Sequence, residues 1–365
     1  MASFRTGRIV SVTGGSADLV RAIVETDAGN IEADGFPELL GSLAPGDRVV
    51  VNTTGIDLGL GTGGVGFLLW NLDGSGPEGP GRGHIMKMRY TPWQHNVLAA
   101  EEPSSPHHEQ LGDTRSLHGL PVVACGLHSQ LAGVAAGIKA AAPQARVGYL
   151  MSDGGALPLA WSRLVKDLRA AGLLDVTCTH GHAFGGDLEA VTVFSGLVAL
   201  ATAGAADVVV AAMGPGSVGT GTALGTTALE QGQVLDAAGA LDGRPFATLR
   251  ISFSDRRERH RGVSHHSLTS LMTAARGRCT VVVPRLELEQ DELVSRQLRR
   301  AGVAERHTII EADGGPGLLT LQEAGVTVSS MGRSPEEDPS PFLAAAAAGT
   351  VAGRALDEGR GSTHR

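Results

Sequence analysis

Short apolar stretches rich in β-branched residues occupy the beginning of the chain. Turn signals such as GGSAD, DAGN and APGD separate them, which is the pattern of strands joined by tight turns. A glycine-rich stretch, DLGLGTGGVGFLLW (57–70), leads into one more apolar run. The pattern therefore predicts a small β-rich domain, either a barrel or a sandwich, over residues 1–72.

A polar region rich in glycine, proline and serine comes next. DGSGPEGPGRG (73–83) has the composition of a connector, and a second irregular stretch covers residues 101–119. Residues 73–119 are therefore predicted to form a connector and interdomain segment.

From Leu120 onward, apolar runs alternate with helical patterns. PVVACG precedes QLAGVAAGIKAAAP, and ADVVVAAMG precedes GTALGTTALEQGQVLDAAG. Apolar strands that each lead into a helix are typical of parallel βαβ units. Residues 120–365 are therefore predicted to form an α/β domain with a doubly wound, mostly parallel sheet. The closing helix around LAAAAAGTVAGRAL has small apolar side chains, which suit packing against a helix of the same chain or of a second copy in a homodimer.

Five predicted strand-to-helix loops carry polar, charged or glycine-rich sequences. In open α/β sheets, ligands bind beyond the carboxyl ends of the strands, where such loops meet. A ligand site at this edge is therefore expected. The loops are GLHSQ (126–130), SDGGALP (152–158), HGHAFGGDLE (180–189), GPGSVGTGTALG (214–225) and SDRRERHRGVSHHS (254–267).

The loop GPGSVGTGTALG has the composition of an anion site. Glycines ahead of a helix let backbone N–H groups point at an anion near the positive end of the helix dipole. The loop is not a P-loop, and no acidic residue about 20 positions later completes a dinucleotide fingerprint. Tight strand–helix packing without a ligand is the alternative. The residues predicted to hold the anion are Gly214, Gly216, Ser217, Gly219, Thr220 and Gly221.

Histidines and aspartates in the same loops form a second candidate group. Imidazole with carboxylate is a ligand set for zinc, manganese or iron, and it also serves acid–base chemistry. The spacing matches no named metal motif, and helix capping is the ordinary alternative for both aspartates. The candidate catalytic residues are His128, Asp153, His182, Asp187, His265 and His266. Of these, His182, Asp187 and His265 are the candidate ligands of a divalent metal.

Basic residues complete the predicted anion site. SDRRERHRG (254–262) holds four arginines, whose guanidinium groups match phosphate or carboxylate, and Arg259 is the one selected. GHIMKMRYTPWQHN (83–96) carries Lys87 and Trp93 and is expected either to cover the cleft as a lid or to pack between domains. A nucleophile formed by Cys125 or Ser129 with His128 is less expected, because neither lies in a nucleophile elbow.

Composition and net charge limit the expected binding partners and the expected cellular compartment. The formal net charge is -8, from 30 Lys and Arg against 38 Asp and Glu, which argues against general binding to nucleic acid or anionic membrane. Three scattered cysteines form no disulfide framework, and the N-terminus lacks the apolar region of a signal peptide. No run reaches the roughly 18 apolar residues of a membrane span. A cytoplasmic protein is therefore expected.

Seven motifs, taken in order, resemble a known family. They are GHIMKMRYTP, GLHSQ, SDGGALP, GHAFGGDLEAV, MGPGSVGTGTALG, RHRGVSHH and MGRSPEEDP, and the family is the bacterial domain of unknown function 3866. The resemblance extends over most of the chain. It implies a bacterial cytoplasmic protein in which these loops belong together, and it implies no particular reaction.

The residues predict an enzyme acting on a small anionic, phosphorylated metabolite by hydrolysis or group transfer, with a divalent metal as the candidate cofactor. Redox chemistry is less expected without a full dinucleotide fingerprint. The alternative is a non-catalytic sensor that binds a nucleotide or a sugar phosphate.

Overall fold

The computed structural model describes residues 2–60, 63–74, 76–77 and 83–361, with side chains described up to residue 357. The predicted connector 73–83 therefore lies partly outside the described residues. The chain divides into two compact units, Met1–Arg82 with Met88–Asn96 and Gly83–Lys87 with Val97–Arg365. Much of the predicted interdomain segment thus belongs to one unit or the other.

The first unit is a closed five-stranded barrel. Its strands are β1 (Phe4–Gly15), β2 (Val20–Thr26), β3 (Gly29–Gly35), β4 (Arg48–Asn52) and β5 (Gly66–Asn71), with short helices α1 (Pro37–Leu40) and α2 (Thr54–Asp57). The strand order is β1-β2-β3-β5-β4, and β3 pairs with β5 in parallel. Alternate apolar residues such as Ile9, Val24 and Val51 fill the interior. Of the two predicted architectures, the structure has the barrel.

The second unit contains a parallel sheet of eight strands. Three elements precede it in the chain: β6 (Ile85–Lys87), β7 (His95–Val97) and α3 (His108–Gly112). The following strands are β8 (Pro121–Ala124), β9 (Val147–Ser152), β10 (Val176–Thr179), β11 (Leu188–Glu189), β12 (Val208–Met213), β13 (Arg244–Ala247), β14 (Ile251–Ser252), β15 (Gly262–Val263), β16 (Thr280–Pro284) and β17 (Thr308–Ala312). The order in the sheet is β11-β10-β9-β12-β8-β13-β16-β17, while β14 and β15 form a separate antiparallel pair.

Helices alternate with these strands along the chain. They are α4 (Gln130–Ala141), α5 (Arg163–Ala170), α6 (Val193–Ala201), α7 (Glu230–Ala240), α8 (His265–Thr269), α9 (Leu288–Arg300), α10 (Val303–Arg306), α11 (Gly315–Glu323) and α12 (Ser340–Gly361). Short 3-10 turns precede α5 and α7, and a π-helical segment follows α8.

Both faces of the central strands of the parallel sheet are buried, whereas the edge strand β17 is mostly exposed. In β8, Val122 and Ala124 join one core while Val123 joins the other, because successive side chains of a strand point to opposite faces. Helices α6 and α7 contribute to the first core, and α4 and α12 contribute to the second. Burial on both faces explains why these strands are continuous apolar runs. The predicted α/β class is confirmed.

The closing helix α12 packs against α4 within the chain. A Cβ at Gly137 of α4 would overlap the backbone carbonyl of Ala346 in α12, and a Cβ at Gly349 would overlap that of Val134. Small residues thus let the two backbones approach closely. The expectation of a homodimer relied on this helix, and its apolar face is already covered within the chain.

None of the described helices combines the length and the apolar character that a membrane crossing requires. Cys125, Cys178 and Cys279 are buried free thiols.

Candidate functional site

The five predicted loops lie at one edge of the sheet. They follow β8, β9, β10, β12 and β13, which are five neighbouring strands in the order β10-β9-β12-β8-β13. Since the strands are parallel, their carboxyl ends share one edge. Two clusters of polar side chains and one cleft are built from these loops.

The first cluster is the three-histidine centre, formed by His260, His265 and His266. One ligand nitrogen from each ring lies within 4.8 Å of the other two. The centroids of His265 and His266 are 4.1 Å apart, and each lies about 5 Å from that of His260. Strands β14 and β15 pair as a hairpin and return the chain so that His260 faces the start of α8. His265 and His266 were predicted, whereas His260 was not selected.

Ser264 contacts two residues of the three-histidine centre. Its hydroxyl caps α8 by accepting a hydrogen bond from the backbone N–H of His266, and it lies 2.8 Å from Nδ1 of His260. Nδ1 also lies 3.3 Å from Nη1 of Arg250, which can only donate, so Nδ1 accepts and the Ser264 hydroxyl donates to it. Among the described residues, Nε2 of both His265 and His266 is buried without a hydrogen-bond partner.

The histidines of this centre are uncharged at neutral pH. Burial, with the positive charge of Arg250, lowers the pKa of His260 to about 3. Burial and the neighbouring His265 lower the pKa of His266 to about 4, and burial also lowers the pKa of His265. Neutral imidazole is the form that binds a metal ion, so these rings need not lose a positive charge before a metal ion binds at pH 7.

Part of the predicted glycine loop lies against the three-histidine centre. A Cβ at Gly219 would lie 3.1 Å from Cε1 of His266, and one at Gly221, whose φ is +83°, would lie 3.7 Å from Nη2 of Arg259. Within the loop, the backbone N–H of Thr220 donates a hydrogen bond to the carbonyl oxygen of Gly225 at 2.8 Å. The structure therefore brings Gly219, Thr220 and Gly221 close to Arg259, His265 and His266.

The arginines of the same region differ in their partners. Arg250 and Arg257 contact the buried carboxylate of Asp255 at 2.8 and 2.9 Å. Hydrogen bonds from Arg257 hold the pKa of Asp255 well below its usual range. Arg259 is exposed and makes no ion pair within the part of the chain that the structure describes. Its charge is thus free for an anionic ligand.

The other end of the glycine loop lines a cleft of about 830 Å³. Gly216 and Ser217 line this cleft together with His128 and Ser129. Gly214, the first residue of the loop, packs against Gly155 and does not line this cleft. The predicted anion-binding glycine loop therefore divides: Gly216 and Ser217 line the cleft, residues 219–221 lie at the three-histidine centre, and Gly214 lies at neither.

His128 is held by hydrogen bonds at both ring nitrogens. Nδ1 lies 3.0 Å from the carbonyl oxygen of Met213 and Nε2 lies 2.7 Å from the hydroxyl of Ser162. Burial lowers the pKa of His128 to about 4. Its sequence neighbour Cys125 is fully buried, and burial raises the pKa of that thiol to about 12, which does not favour a Cys–His nucleophile.

The second cluster, which we call the carboxylate centre, is looser and consists of Ser152, Asp153, His180 and Glu230. The charge of Asp153 acts on His180 and Glu230, but these three side chains do not bring ligand atoms within 4.8 Å of one another as the three histidines do. Oδ2 of Asp153 accepts the backbone N–H of His182 at 2.9 Å. The predicted residues Asp153 and His182 thus meet through the backbone. Glu230 was not predicted, although its place at the start of the helix after the glycine loop could have indicated it.

Asp187 lies outside both clusters. Its carboxylate contacts Arg169 at 2.6 Å and accepts hydrogen bonds from the backbone and hydroxyl of Thr177. Although burial raises the pKa of Asp187, these bonds hold it below its usual range. The sequence interpretation placed a helix start here, but β11 follows and α6 begins only at Val193. The metal set His182, Asp187 and His265 stays a prediction, and Asp187 has a structural partner instead.

Lys87 differs most from its predicted role. Its side chain is fully buried, and Nζ lies 3.1 Å from Glu189 and 3.2 Å from the carbonyl oxygen of Ala190. An ammonium in this position cannot reach a ligand unless the surrounding structure opens. Trp93 belongs to the barrel unit, where its ring N–H donates to Leu69 at 3.1 Å. The lid stays a prediction.

Comparisons with known proteins agree with the resemblance of the motifs. A family model described as protein of unknown function (DUF3866) matches residues 32–349. No curated protein and no solved structure matches the chain. Because the matched range covers most of the 365 residues and all five loops, the protein belongs to the DUF3866 family of proteins of unknown function.

Proposed function

We propose that the protein is a metal-dependent enzyme that acts on a small anionic, phosphorylated metabolite by hydrolysis or group transfer. The observation that carries this proposal is the convergence of His260, His265 and His266. Three histidines with one open position are the ligand set of catalytic zinc sites, where water or a substrate oxygen takes the fourth position. A metal ion bound there would lower the pKa of its water and polarise a phosphoryl oxygen.

The surrounding residues suit an anionic substrate. Arg259, which makes no ion pair with any described residue, lies beside Gly221 near the three-histidine centre. Arg250 and Arg257 add positive charge that Asp255 only partly compensates. These guanidinium groups repel a metal ion, so a bound anion would stabilise the ion in this region. A phosphate that bridges the metal and Arg259 satisfies both.

The topology of the sheet supports a ligand at the same edge. From β8 the chain moves to β9 and β10 on one side, and from β12 it moves to β13 on the other. In a doubly wound sheet, ligands bind where this direction changes. The cleft lined by His128 and Ser217 lies between the loops that follow β8 and β12. We infer that it receives the remainder of the substrate.

Three buried free thiols fit a protein that works in the reducing cytoplasm, and we include this location in the proposal.

Metal content measured on the purified chain tests the proposal. We expect about one zinc, cobalt or iron ion per wild-type chain and a loss of the ion in His265→Ala and His266→Ala. His118→Asn is the matched control, because His118 is exposed and asparagine tolerates its positive φ of 49°. Unchanged metal content in both alanine variants would contradict the role of the centre.

Turnover of a panel of phosphorylated metabolites separates the enzyme from its alternative. The second candidate function is a sensor of a nucleotide or sugar phosphate, favoured by the roomy cleft next to the glycine loop. If a phosphorylated compound raises the melting temperature but is released unchanged in the presence of every metal tested, the sensor is the better description. Turnover that is abolished in His266→Ala, with ligand binding retained, supports the enzyme.

A further inference from the structure

The last strand of the parallel sheet, β17, is an open edge. It pairs with β16 on one side and is the final strand in the order of the sheet. Four of its five residues are exposed, and among them Ile309 and Ile310 are 37% and 38% exposed. Because neighbouring side chains of a strand point to opposite faces, this edge presents apolar surface on both faces of the sheet.

Backbone hydrogen bonds show which residues of β17 face its neighbour β16. The N–H of Thr308 donates to the carbonyl oxygen of Cys279 at 3.0 Å, and the carbonyl oxygen of Ala312 accepts the N–H of Arg285 at 2.9 Å. Backbone groups alternate in direction along a strand, so Ile310, which lies midway between Thr308 and Ala312, faces β16 as well.

The two remaining residues, Ile309 and Glu311, therefore direct their backbone N–H and C=O groups away from the sheet. Neither has a backbone hydrogen bond outside the sheet within the part of the chain that the structure describes. A row of such groups is a template on which a further strand can pair. The backbone of this edge thus fits an extended strand better than it fits a helix or a small molecule.

Strand β17 carries none of the features that usually protect the edge of a sheet. Its sequence, TIIEA, contains no proline and no lysine, and its register with β16 is regular, without a bulge. The opposite edge differs, because Glu189 of β11 pairs with Ala99 in a parallel bridge. Of the two edges, β17 is thus the one beyond which no described residue pairs.

We propose that β17 pairs with β17 of a second copy of the chain, in antiparallel orientation, so that the two sheets continue into each other across a two-fold axis. The outward-facing residues Ile309 and Glu311 lie symmetrically on either side of Ile310. Each Ile309 then exchanges N–H···O=C bonds with Glu311 of the second copy, and the two Ile310 side chains meet at the axis. One sequence thus satisfies its own edge, as a two-fold interface requires.

The charges of β17 allow this arrangement. Glu311 of one copy would lie opposite Ile309 of the other and not opposite a second carboxylate. Its own carboxylate already lies 3.4 Å from the guanidinium of Arg285. The interface is distinct from α12, whose small residues pack against α4, and it depends on neither the three-histidine centre nor the proposed reaction.

Light scattering of the purified chain tests the proposal, and we expect twice the mass of one chain for the wild type. Ile309→Pro removes an outward-facing N–H, which proline can lack at a sheet edge, so it should keep the fold but raise the dissociation constant of the dimer by at least about tenfold. Ile310→Lys places two like charges at the axis and should also give monomers. Phe194→Lys is the matched control and should stay dimeric, because it changes an exposed apolar residue of α6, which packs near the opposite edge.

Cysteine cross-linking tests the position of the axis. In Ile310→Cys, the two new thiols would face each other in a pair with Cα atoms about 4.5 Å apart, which a disulfide can bridge. In Thr308→Cys, on the same face, the two positions would be about 14 Å apart and the thiols should stay reduced. The native thiols Cys125, Cys178 and Cys279 are buried, so an oxidant should link only the Ile310→Cys protein. Non-reducing electrophoresis detects the linked dimer.

Three outcomes would overturn the proposal. They are a wild-type chain that stays monomeric at submillimolar concentration, a dimer that Ile309→Pro and Ile310→Lys leave intact, and equal cross-linking of Thr308→Cys and Ile310→Cys. Circular dichroism shows whether each variant folds. If Ile309→Pro does not fold, the cross-linking pair decides, since both cysteine variants change exposed positions.

Discussion

The ammonium group of Lys87 lies 3.1 Å from the carboxylate of Glu189, and the lysine side chain is fully buried. The two residues are far apart in the chain, so the pair ties β6 to β11 at the end of the parallel sheet. Burial raises the pKa of Glu189 while Lys87 opposes this effect, as expected for a carboxylate that depends on its partner for its charge. Removing one partner leaves an uncompensated charge.

We expect Lys87→Met to lower the free energy of unfolding of its unit by about 3–5 kcal/mol, because Glu189 then stays buried without a cation. Urea denaturation followed by circular dichroism measures the change. Lys166→Met, at an exposed position of α5, is the control and should have little effect. The double variant with Glu189→Gln should recover part of the loss. If Lys87→Met were as stable as the control, the ion pair would have no structural role.

Ser162 is expected to stabilise α5 and to position His128 at the same time. Its hydroxyl accepts the backbone N–H of Val165 at 3.1 Å and lies 2.7 Å from Nε2 of His128. Ser162→Ala should therefore cost about 1–3 kcal/mol, since it removes both a helix cap and a buried hydrogen bond. Thermal unfolding checks this value. Ser162→Thr should keep the cap, and equal losses in both variants would contradict the capping role.

The ionisation of His128 should make stability depend on pH. Its folded-state pKa is about 4, whereas an unperturbed histidine titrates near 6.5. As the pH falls from 6.5 to 4, the unfolded chain takes up a proton that the folded chain does not, so stability falls. His128→Gln should therefore reduce the dependence of the unfolding free energy on pH by the uptake of up to one proton. Urea denaturation midpoints at pH 7, 6 and 5 measure this dependence. His118→Asn should leave the slope unchanged, and equal slopes in all three proteins would count against the buried neutral ring.

The close packing of α4 and α12 predicts opposite effects for two helical glycines. In Gly137→Ala the new methyl group meets the backbone of Ala346, so overpacking should cost at least about 1–3 kcal/mol. A Cβ at Gly239 of α7 meets nothing within 4 Å, so Gly239→Ala should stabilise the helix by about 0.5–1 kcal/mol. Melting temperatures of the two variants check this pair. A neutral Gly137→Ala would mean that the helices are less closely packed.

The class of the fold could be predicted because both units follow local patterns. The central strands of the parallel sheet are continuous apolar runs such as VVVAAM, since helices bury both of their faces, whereas the edge strand β17 is mostly exposed. The barrel strands were predicted from their β-branched residues and from the turn signals between them. The placement of the five loops at one edge then followed from the direction of parallel strands.

The partners of the charged residues could not be predicted in the same way. Lys87 and Asp187 were expected to meet a ligand or a metal, but Glu189 and Arg169 neutralise them in the structure. A charged residue in a polar stretch gives no local sign of whether it is buried. Burial depends on which strand lies beside it.

The sequence by itself determined the alternation of strands and helices and therefore the edge at which polar loops collect. Only the tertiary structure decided which side chains in those loops converge. His260 joins His265 and His266 because β14 and β15 pair and turn the chain back, and the charge of Asp153 acts on Glu230 because β12 lies beside β9. Periodicity along a chain reports which face is buried, whereas distances between loops depend on strand order, and strand order is not written in the local pattern.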